Sequence, residues 1–381
     1  MSSNNRGRLL VITILGLLFC VHSCNEQSIG EGEEIIFRDP DNGTVTDRLS
    51  IIDGVPLDMV LIYEGGTHRT IKWNKEHFAP YVSAQVDGKE RWLFDGFLFL
   101  EIHDGKDRGF ASGYREKPAR KSEWEALLNG YFTPGNAICA LDDQVGKVRD
   151  GKNMEGDFRK RKVVIAIPEP IPNQKDWGEL DGRSLSFTNR SDRVAACQWY
   201  VDYAVKLFGN AKLKNLELTG FYWLAEEATH TRDMVKEVAG YLDKRGYDFY
   251  WIPYYFADGY FEWKELGFDV PYYQPNYFFN EDIPVSRIKE ACLRAKRHGM
   301  NLEVEFDERA LTGRGNWGYR LHHYLDVFES EAVLYKVHLA YYQGGDAFYR
   351  LAQSSNYQDG LLYQRLVNVI VERQKRLATG E

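Results

Sequence analysis

Asn301-Leu-Glu-Val-Glu-Phe-Asp-Glu308 carries acids at positions 303, 305 and 307, every second residue. Side chains on a β-strand alternate between faces, so Glu303, Glu305 and Asp307 point the same way. A row of unpaired carboxylates inside an apolar strand is costly to bury. It becomes sensible where that face opens into a site that uses the acids. The stretch therefore reads as the seventh strand of a (β/α)8 barrel, with its acids turned toward the barrel mouth.

The rest of the chain agrees with that placement. Short β-rich runs alternate with longer amphipathic ones, the pattern of βα units on a parallel sheet. Eight strands are expected at Met59–Tyr63, Gly96–His103, Val163–Pro168, Leu216–Trp223, Asp248–Pro253, Asp269–Gln274, Asn301–Phe306 and Val337–Tyr342. Helical patterns fill the intervals: Ser122–Leu128 and the stretch after it, Arg193–Phe208, Thr229–Arg245 and Tyr260–Leu266. Val285–His298, Tyr319–Ser330 and Leu361–Leu377 complete the set. Three of these run into glycine at 246, 267 and 299, two of them through basic residues, as helix C-termini favour. Eight units in about 330 residues match an α/β protein built as one TIM barrel. A doubly wound open sheet is the rival, but no Gly-rich phosphate loop follows the first strand.

Composition narrows the class. The 381 residues are 44% hydrophobic and 27% charged, an ordinary folded balance. The formal charge of −8 argues against nucleic acid as a partner. Aromatics make up 14% of the chain, with 24 Tyr and 9 Trp, and such rings suit stacking on sugars as well as packing.

The N-terminus reads as a targeting segment. Arg6 and Arg8 precede an apolar run, Leu9–Val21, that is too short to span a bilayer comfortably. It ends in Val21-His22-Ser23-Cys24, which resembles a bacterial lipobox, so Cys24 is expected to carry lipid and anchor the protein to a membrane. A cleaved secretory signal with an incidental Cys is the alternative. Glu26, Glu31, Glu33 and Glu34 resemble surface-export signals of Bacteroidetes lipoproteins, which points to the outer membrane or cell surface. The expected organisation is a signal peptide over 1–23, a flexible tether over 24–48, and the barrel over 49–381. Beyond Cys24, the processed chain keeps Cys139, Cys197 and Cys292, too few and too scattered for a disulfide framework or metal set. Buried thiols are expected at 197 and 292.

Barrel sites are built at the C-terminal ends of the strands. Those ends repeatedly carry acids, amides, Tyr and Trp, a chemistry suited to a polyhydroxylated ring. Glycosidic hydrolysis needs two carboxyl groups, one protonated and one ionised. Many retaining barrel glycosidases place them after strands four and seven, where Glu226 and Glu305 stand. Glu303 and Asp307 compete with Glu305, and Glu226 could simply be an acid at a helix start. Asp95, Glu101, Glu169, Trp223, Tyr254, Gln274, Asn276, Asp307 and Tyr342 are the expected substrate contacts. No metal or other cofactor is expected: His322 and His323 are adjacent and cannot share a helix face, and no HExxH occurs. No GxSxG elbow occurs either. A lyase or esterase using Tyr254 or His103 as base is a further, weaker option.

Phe94-Asp-Gly-Phe-Leu-Phe, Val164-Ile-Ala-Ile-Pro-Glu-Pro-Ile-Pro, Gly220-Phe-Tyr-Trp, Tyr272-Tyr-Gln-Pro-Asn-Tyr and Glu303-Val-Glu-Phe-Asp together resemble the DUF4855 family across nearly all of residues 50–375. That family is a domain of unknown function found in Bacteroidetes lipoproteins and grouped with barrel-type glycoside hydrolases. The resemblance implies a barrel, an envelope location and a glycan-related role, and it assigns no catalytic residues. Two functions are therefore expected to compete: a glycoside hydrolase, and a non-catalytic glycan-binding lipoprotein on the same scaffold. Carboxyl groups about 5–5.5 Å apart would indicate retention and about 6.5–9.5 Å inversion.

Overall fold

A computed structural model describes residues 47–151 and 154–380. Eight parallel strands close into a barrel: β1 (Asp58–Tyr63), β2 (Gly96–Leu100), β3 (Arg161–Ile167), β4 (Leu216–Trp223), β5 (Asp248–Trp251), β6 (Val270–Tyr273), β7 (Asn301–Glu305) and β8 (Leu339–Tyr342). Each strand pairs with its sequence neighbours, and β8 closes against β1 through Asp58 beside Leu339 and Val60 beside Tyr341. All eight expected strands form, with ends that match or shift by a few residues. The chain is an α/β protein with the (β/α)8 fold.

The helices that cover the barrel are α1 (Lys75–Val82), α2 (Lys121–Tyr131), α3 (Ala137–Arg149), α4 (Arg190–Ala211) and α5 (Val235–Asp243). They continue with α6 (Trp263–Leu266), α7 (Ser286–His298), α8 (Gly318–Ser330), α9 (Ala347–Gln353) and α10 (Tyr357–Thr379). Helix α7 shows why these stretches fold as they do. Ile288, Ala291, Cys292 and Ala295 recur at helical spacing and are buried on the sheet, while Lys and Arg occupy the outer face. It ends at Gly299, whose φ of +65° lets the C-cap amide return to the Ala295 carbonyl. Cys197 and Cys292 are buried thiols, and burial pushes Cys292 up to about 12.

Three segments differ from the sequence reading, which places no helix at α1. Helix α1 contains Pro80, ordinarily a breaker, but this helix is only eight residues long and is anchored by Asn74 at its N-cap. The helix expected from Thr229 begins at Val235, because residues 229–234 form turns around Ala228 and Thr231. A hairpin that the sequence reading lacks, Ser83–Val86 with Lys89–Trp92, links α1 to β2.

The lower end of the barrel is closed by a buried ion pair. Arg373 of α10 donates to Asp58 at 2.8 Å and to the carbonyls of Leu57 and Val337 at 3.0 and 2.8 Å. Tyr341 adds a hydroxyl to Asp58 at 2.7 Å. Burial nevertheless raises Asp58 to about 6, despite the Arg373 charge that pulls the other way.

Residues 1–46 lie outside the described residues, and with them the expected signal peptide, Cys24 and most of the tether. Asp47 and Arg48 already hold the barrel: Asp47 pairs with Lys336 at 3.0 Å, and the Arg48 amide donates to Lys296. No described helix is long and apolar enough to cross a membrane.

Candidate active site at the barrel mouth

Register decides what faces inward. Glu303 lies beside Ala340, and Glu305 beside Tyr342, so the two acids share the inner face with those residues. Tyr222 on β4 also turns inward, where the charges of Glu226 and Glu303 act on its hydroxyl. Its neighbour Trp223 therefore turns outward and packs edge-on against Phe249, beneath the helices. Trp223 is not the substrate contact that the sequence suggests; strand alternation puts it in the outer layer instead.

Glu305 ends β7 with its side chain 1% exposed. The Asn276 backbone amide donates to one oxygen at 2.7 Å, and Tyr324 of α8 donates to the same oxygen at 2.6 Å. The Asn276 side-chain amide donates to the other at 3.2 Å. Burial raises Glu305 to about 7 and the charge of Glu226 adds to the rise, while the Tyr324 and Asn276 donors oppose it.

Glu226 follows β4 and stays partly open to solvent. Burial of its carboxyl raises it to about 7, with the Glu227 charge adding to the rise and a hydrogen bond from Gln274 opposing it. Gln274 in turn donates to the Ile252 carbonyl at 2.9 Å and accepts from the Asn276 side chain at 3.0 Å. Gln274, Asn276 and Glu305 thus form one hydrogen-bonded chain at the mouth, and Glu226 stands beside its Gln274 end. Asn276 holds it in a left-handed backbone conformation, φ +49°, which Asn tolerates better than most residues. Its Oδ1 is occupied by the Tyr255 amide at 2.6 Å, so both ends of the side-chain amide are committed.

Glu303 sits one layer deeper. Its carboxyl is raised well above the usual range, by burial first and then by the charges of Glu305 and Glu226. One of its oxygens has no hydrogen-bond partner among the described residues. A neutral, protonated carboxyl is the form that such a position favours.

Aromatic rings frame the opening. Tyr63 and Tyr342 meet edge to face at 5.8 Å, and Phe279 meets Tyr342 at 5.4 Å. Tyr254 stands on the β5 side, its hydroxyl 2.9 Å from Glu227. All four rings are partly exposed. Tyr342, Tyr254, Gln274 and Asn276 are therefore brought together with the two glutamates.

Other expected contacts are placed elsewhere or are already occupied. Asp95 precedes β2 at the lower end of the barrel, where it accepts from the Leu57 and Asp58 amides at 2.9 and 2.8 Å. It cannot reach the mouth, a correction that follows from its position before the strand rather than after it. Glu101 is at the mouth but fully used: Arg69 binds it through two 2.7 Å bonds, and the Gly66 and Ile102 amides donate as well. Burial alone would raise Glu101, but Arg69 outweighs it and holds the carboxyl below its usual value. Glu169 is 3% exposed and tied to Ser112 by its amide at 2.6 Å and its hydroxyl at 2.9 Å, so it braces the loop after β2. Asp307 leaves the strand, caps the short 3₁₀ turn Glu308–Ala310 and is clamped by Arg309 at 2.7 Å.

The loop after β8 carries a further device. Barrels of this architecture often bind phosphate between the loops after strands seven and eight and a short extra helix. Here Gly344-Gly345-Asp346 leads into the short α9, and the Gly345 and Asp346 amides donate to Glu308 at 2.9 and 3.1 Å. A Cβ at Gly344, φ +63°, would come within 2.6 Å of the Glu308 carboxylate. The protein fills its own anion cradle.

Tyr63 and Tyr222, two of the strand-end tyrosines, also belong to this site, and Tyr324 and Glu308 complete it although nothing in the sequence assigns them a role. Tyr324 lies in α8, 19 residues from Glu305, and no local pattern reports such a pairing. Among the described residues no group of three or more His, Cys, Asp or Glu is arranged to hold a metal ion.

The family model described as "Domain of unknown function (DUF4855)" matches residues 58–368. No curated protein matches the chain. Solved structures that align include tryptophan synthase alpha-subunits from the hyperthermophile Pyrococcus furiosus. One mutant alpha-subunit is 10% identical, with 86% of this chain and 100% of that chain covered and a TM-score of 0.37. Another mutant alpha-subunit is 11% identical, with 85% and 98% covered and a TM-score of 0.36. The tryptophan synthase complex from the same organism is 9% identical, with 85% and 98% covered and a TM-score of 0.35. Scores that low carry no argument, and the barrel rests on its own strand order.

Proposed function

The chain belongs to the DUF4855 family, and we propose that it is a glycoside hydrolase acting on a complex glycan through Glu226 and Glu305. The observation that carries this reading is the placement of Glu226 and Glu305 at the two ends of the hydrogen-bonded Gln274–Asn276 pair in an aromatic-rimmed mouth. It supports two distinct roles for two like side chains. Glu305 receives three donors, which favour the ionised form; Glu226 receives one, from Gln274, and keeps its proton more readily. Glu226 is then the general acid that protonates the departing glycosidic oxygen. Glu305 is the carboxylate that attacks the anomeric carbon or activates a water. Tyr63, Tyr342, Phe279 and Tyr254 supply faces for sugar C–H surfaces.

The lipobox-like Val21–Cys24 supports a second part of the proposal, a lipid anchor on Cys24 that holds the enzyme at the outer membrane or cell surface. The competing role, glycan binding without cleavage, is favoured by one feature: Glu305 is only 1% exposed.

Incubation of the protein with a glycan panel, followed by analysis of released sugars, separates the two. Release that falls at least about a hundredfold in both Glu226→Gln and Glu305→Gln fits the paired roles, since general acid–base catalysis alone supplies that much. Binding without release, or release unchanged in either variant, would overturn the assignment. Proton NMR of the first-formed anomer then distinguishes retention from inversion.

A further inference from the structure

The β1–β2 side of the mouth carries a group of cations and imidazoles that the two-glutamate chemistry does not use. His68 and His103 stack at 4.0 Å with an interplanar angle of 27°. Arg115 lies against this pair, its Nη2 3.0 Å from His103 Nε2 and 3.3 Å from Nδ1. Its Nη1 donates to the Tyr114 carbonyl at 2.8 Å. Among the described residues, Arg115 therefore pairs with no carboxylate. Arg69 beside it differs, because Glu101 balances its charge. Asp104 turns its carboxylate into its own loop, onto the Lys106 and Arg108 amides at 2.8 and 3.1 Å.

The imidazole geometry adds an independent observation. The Gly105 amide donates to His103 Nδ1 at 3.0 Å, so that nitrogen must accept. In the neutral ring the proton then resides on Nε2. Arg115 Nη2, almost equidistant from the two ring nitrogens, lies over the imidazole face and leaves the in-plane Nε2–H pointing away from it. Burial, with the neighbouring His68 and Arg115, lowers His103 to about 4, so the ring stays neutral at physiological pH. Two adjacent donors with no shared acceptor are suited to an incoming oxyanion.

The group adjoins the candidate active site. Arg69 sits over the Tyr63 ring at 4.9 Å, and the Tyr63 hydroxyl feels the charge of Glu226. The Tyr114 hydroxyl lies near those of both Tyr63 and Tyr222. An anion at Arg115 would thus belong to a sugar next to the ring held at Glu226.

We propose that Arg115, with His68 and His103, forms a subsite for the anionic substituent of an acidic saccharide, a carboxylate or a sulfate ester. This rests on the glycan-hydrolase reading and deepens it by naming the substrate class. Arg115 supplies the charge and the fork of donors, His103 Nε2 a second donor, and exposed His68 the outer wall.

Titration calorimetry on the purified protein tests it, with probes supplied in matched pairs. One pair is an oligogalacturonide and its carboxyl-reduced counterpart; the other is a chondroitin sulfate oligosaccharide and its desulfated counterpart. The charged member of at least one pair should bind about tenfold or more tightly, the fold-change a charge-assisted hydrogen bond supplies. Which pair shows it identifies carboxylate or sulfate. Arg115→Gln should abolish the preference, and Arg115→Lys should retain part of it. Raised salt should shrink the preference in the unmodified protein, a measurement that needs no variant. Equal binding within both pairs overturns the subsite, as does a preference that survives Arg115→Gln in a folded protein. Cleavage assays on the same glycans keep the two readings apart. Cleavage without charge preference removes the subsite and leaves the hydrolase. Charge preference without any release removes the hydrolase and leaves the subsite, and undiminished release by Glu226→Gln and Glu305→Gln removes those two residues from the chemistry.

Discussion

Asn276 grips Glu305 twice, through its backbone amide at 2.7 Å and its side-chain amide at 3.2 Å. The same side chain reaches Gln274 and, through it, Glu226, so one residue sets the position of both acids. Asn276→Ala keeps the left-handed backbone strain and removes the side-chain bonds. It is expected to cost about 1–3 kcal/mol of stability, the range for buried groups left unsatisfied. Chemical denaturation reads this directly, and a loss below about 0.5 kcal/mol, the low end for a single hydrogen bond, would mean that the chain does not depend on Asn276.

Tyr324 donates to the same carboxylate from α8 at 2.6 Å and accepts from the Tyr277 amide at 3.2 Å. Tyr324→Phe takes away a donor that favours the ionised form, so the Glu305 pKa rises. If Glu305 must be ionised to act, the acid limb of the pH–rate profile moves to higher pH. A profile that scales down without moving would make Tyr324 a packing residue only.

Glu226, Glu303 and Glu305 are all raised, which sets the pH dependence of stability. Between the ordinary glutamate value and about 7, the unfolded chain has released these protons and the folded chain still holds them. The folded state therefore binds more protons, and stability falls as pH rises through that window. Glu303→Gln removes the deepest of these ionisable groups. Its melting temperature at pH 8 should exceed that of the parent, by roughly 2–4 °C for each kcal/mol recovered. Parallel melting curves for parent and variant from pH 5 to about pH 8 would contradict this account.

At the other end of the barrel, Arg373→Met leaves Asp58 buried beside apolar atoms. Removal of one partner of a buried pair costs about 3–5 kcal/mol. The double variant with Asp58→Asn should recover part of that loss, because no charge remains to be desolvated. Additive losses in the denaturant-based cycle would show that the two residues act independently.

Much of the fold can be read along the chain because strand periodicity and helix stops are local signals. Glu303 and Glu305 are in phase, the eight strands are bounded by turns, and glycines stand where the helices end. The limits of that reading are local too. Period-two alternation separates faces but does not say which end of a strand faces the mouth, and so it misplaces Asp95. Position at a strand end suggests Trp223 for the mouth, although its neighbour Tyr222 takes the inner face and forces it outward. Arg69 lies 32 residues from Glu101, and Tyr324 comes from a helix packed outside the barrel. Such partners are chosen by closure of the barrel, which no window of sequence contains. Acids that look free in the sequence, Glu101, Glu169 and Asp307, are engaged for the same reason.

The carboxylate of Glu308 in the Gly344–Gly345 cradle has a thermodynamic consequence of its own. A loop that waits for a ligand anion loses its conformational freedom when the ligand arrives, and the binding constant is weaker for it. This loop is ordered during folding by a group the chain carries, so the β8 side of the mouth presents the same shape with or without a guest.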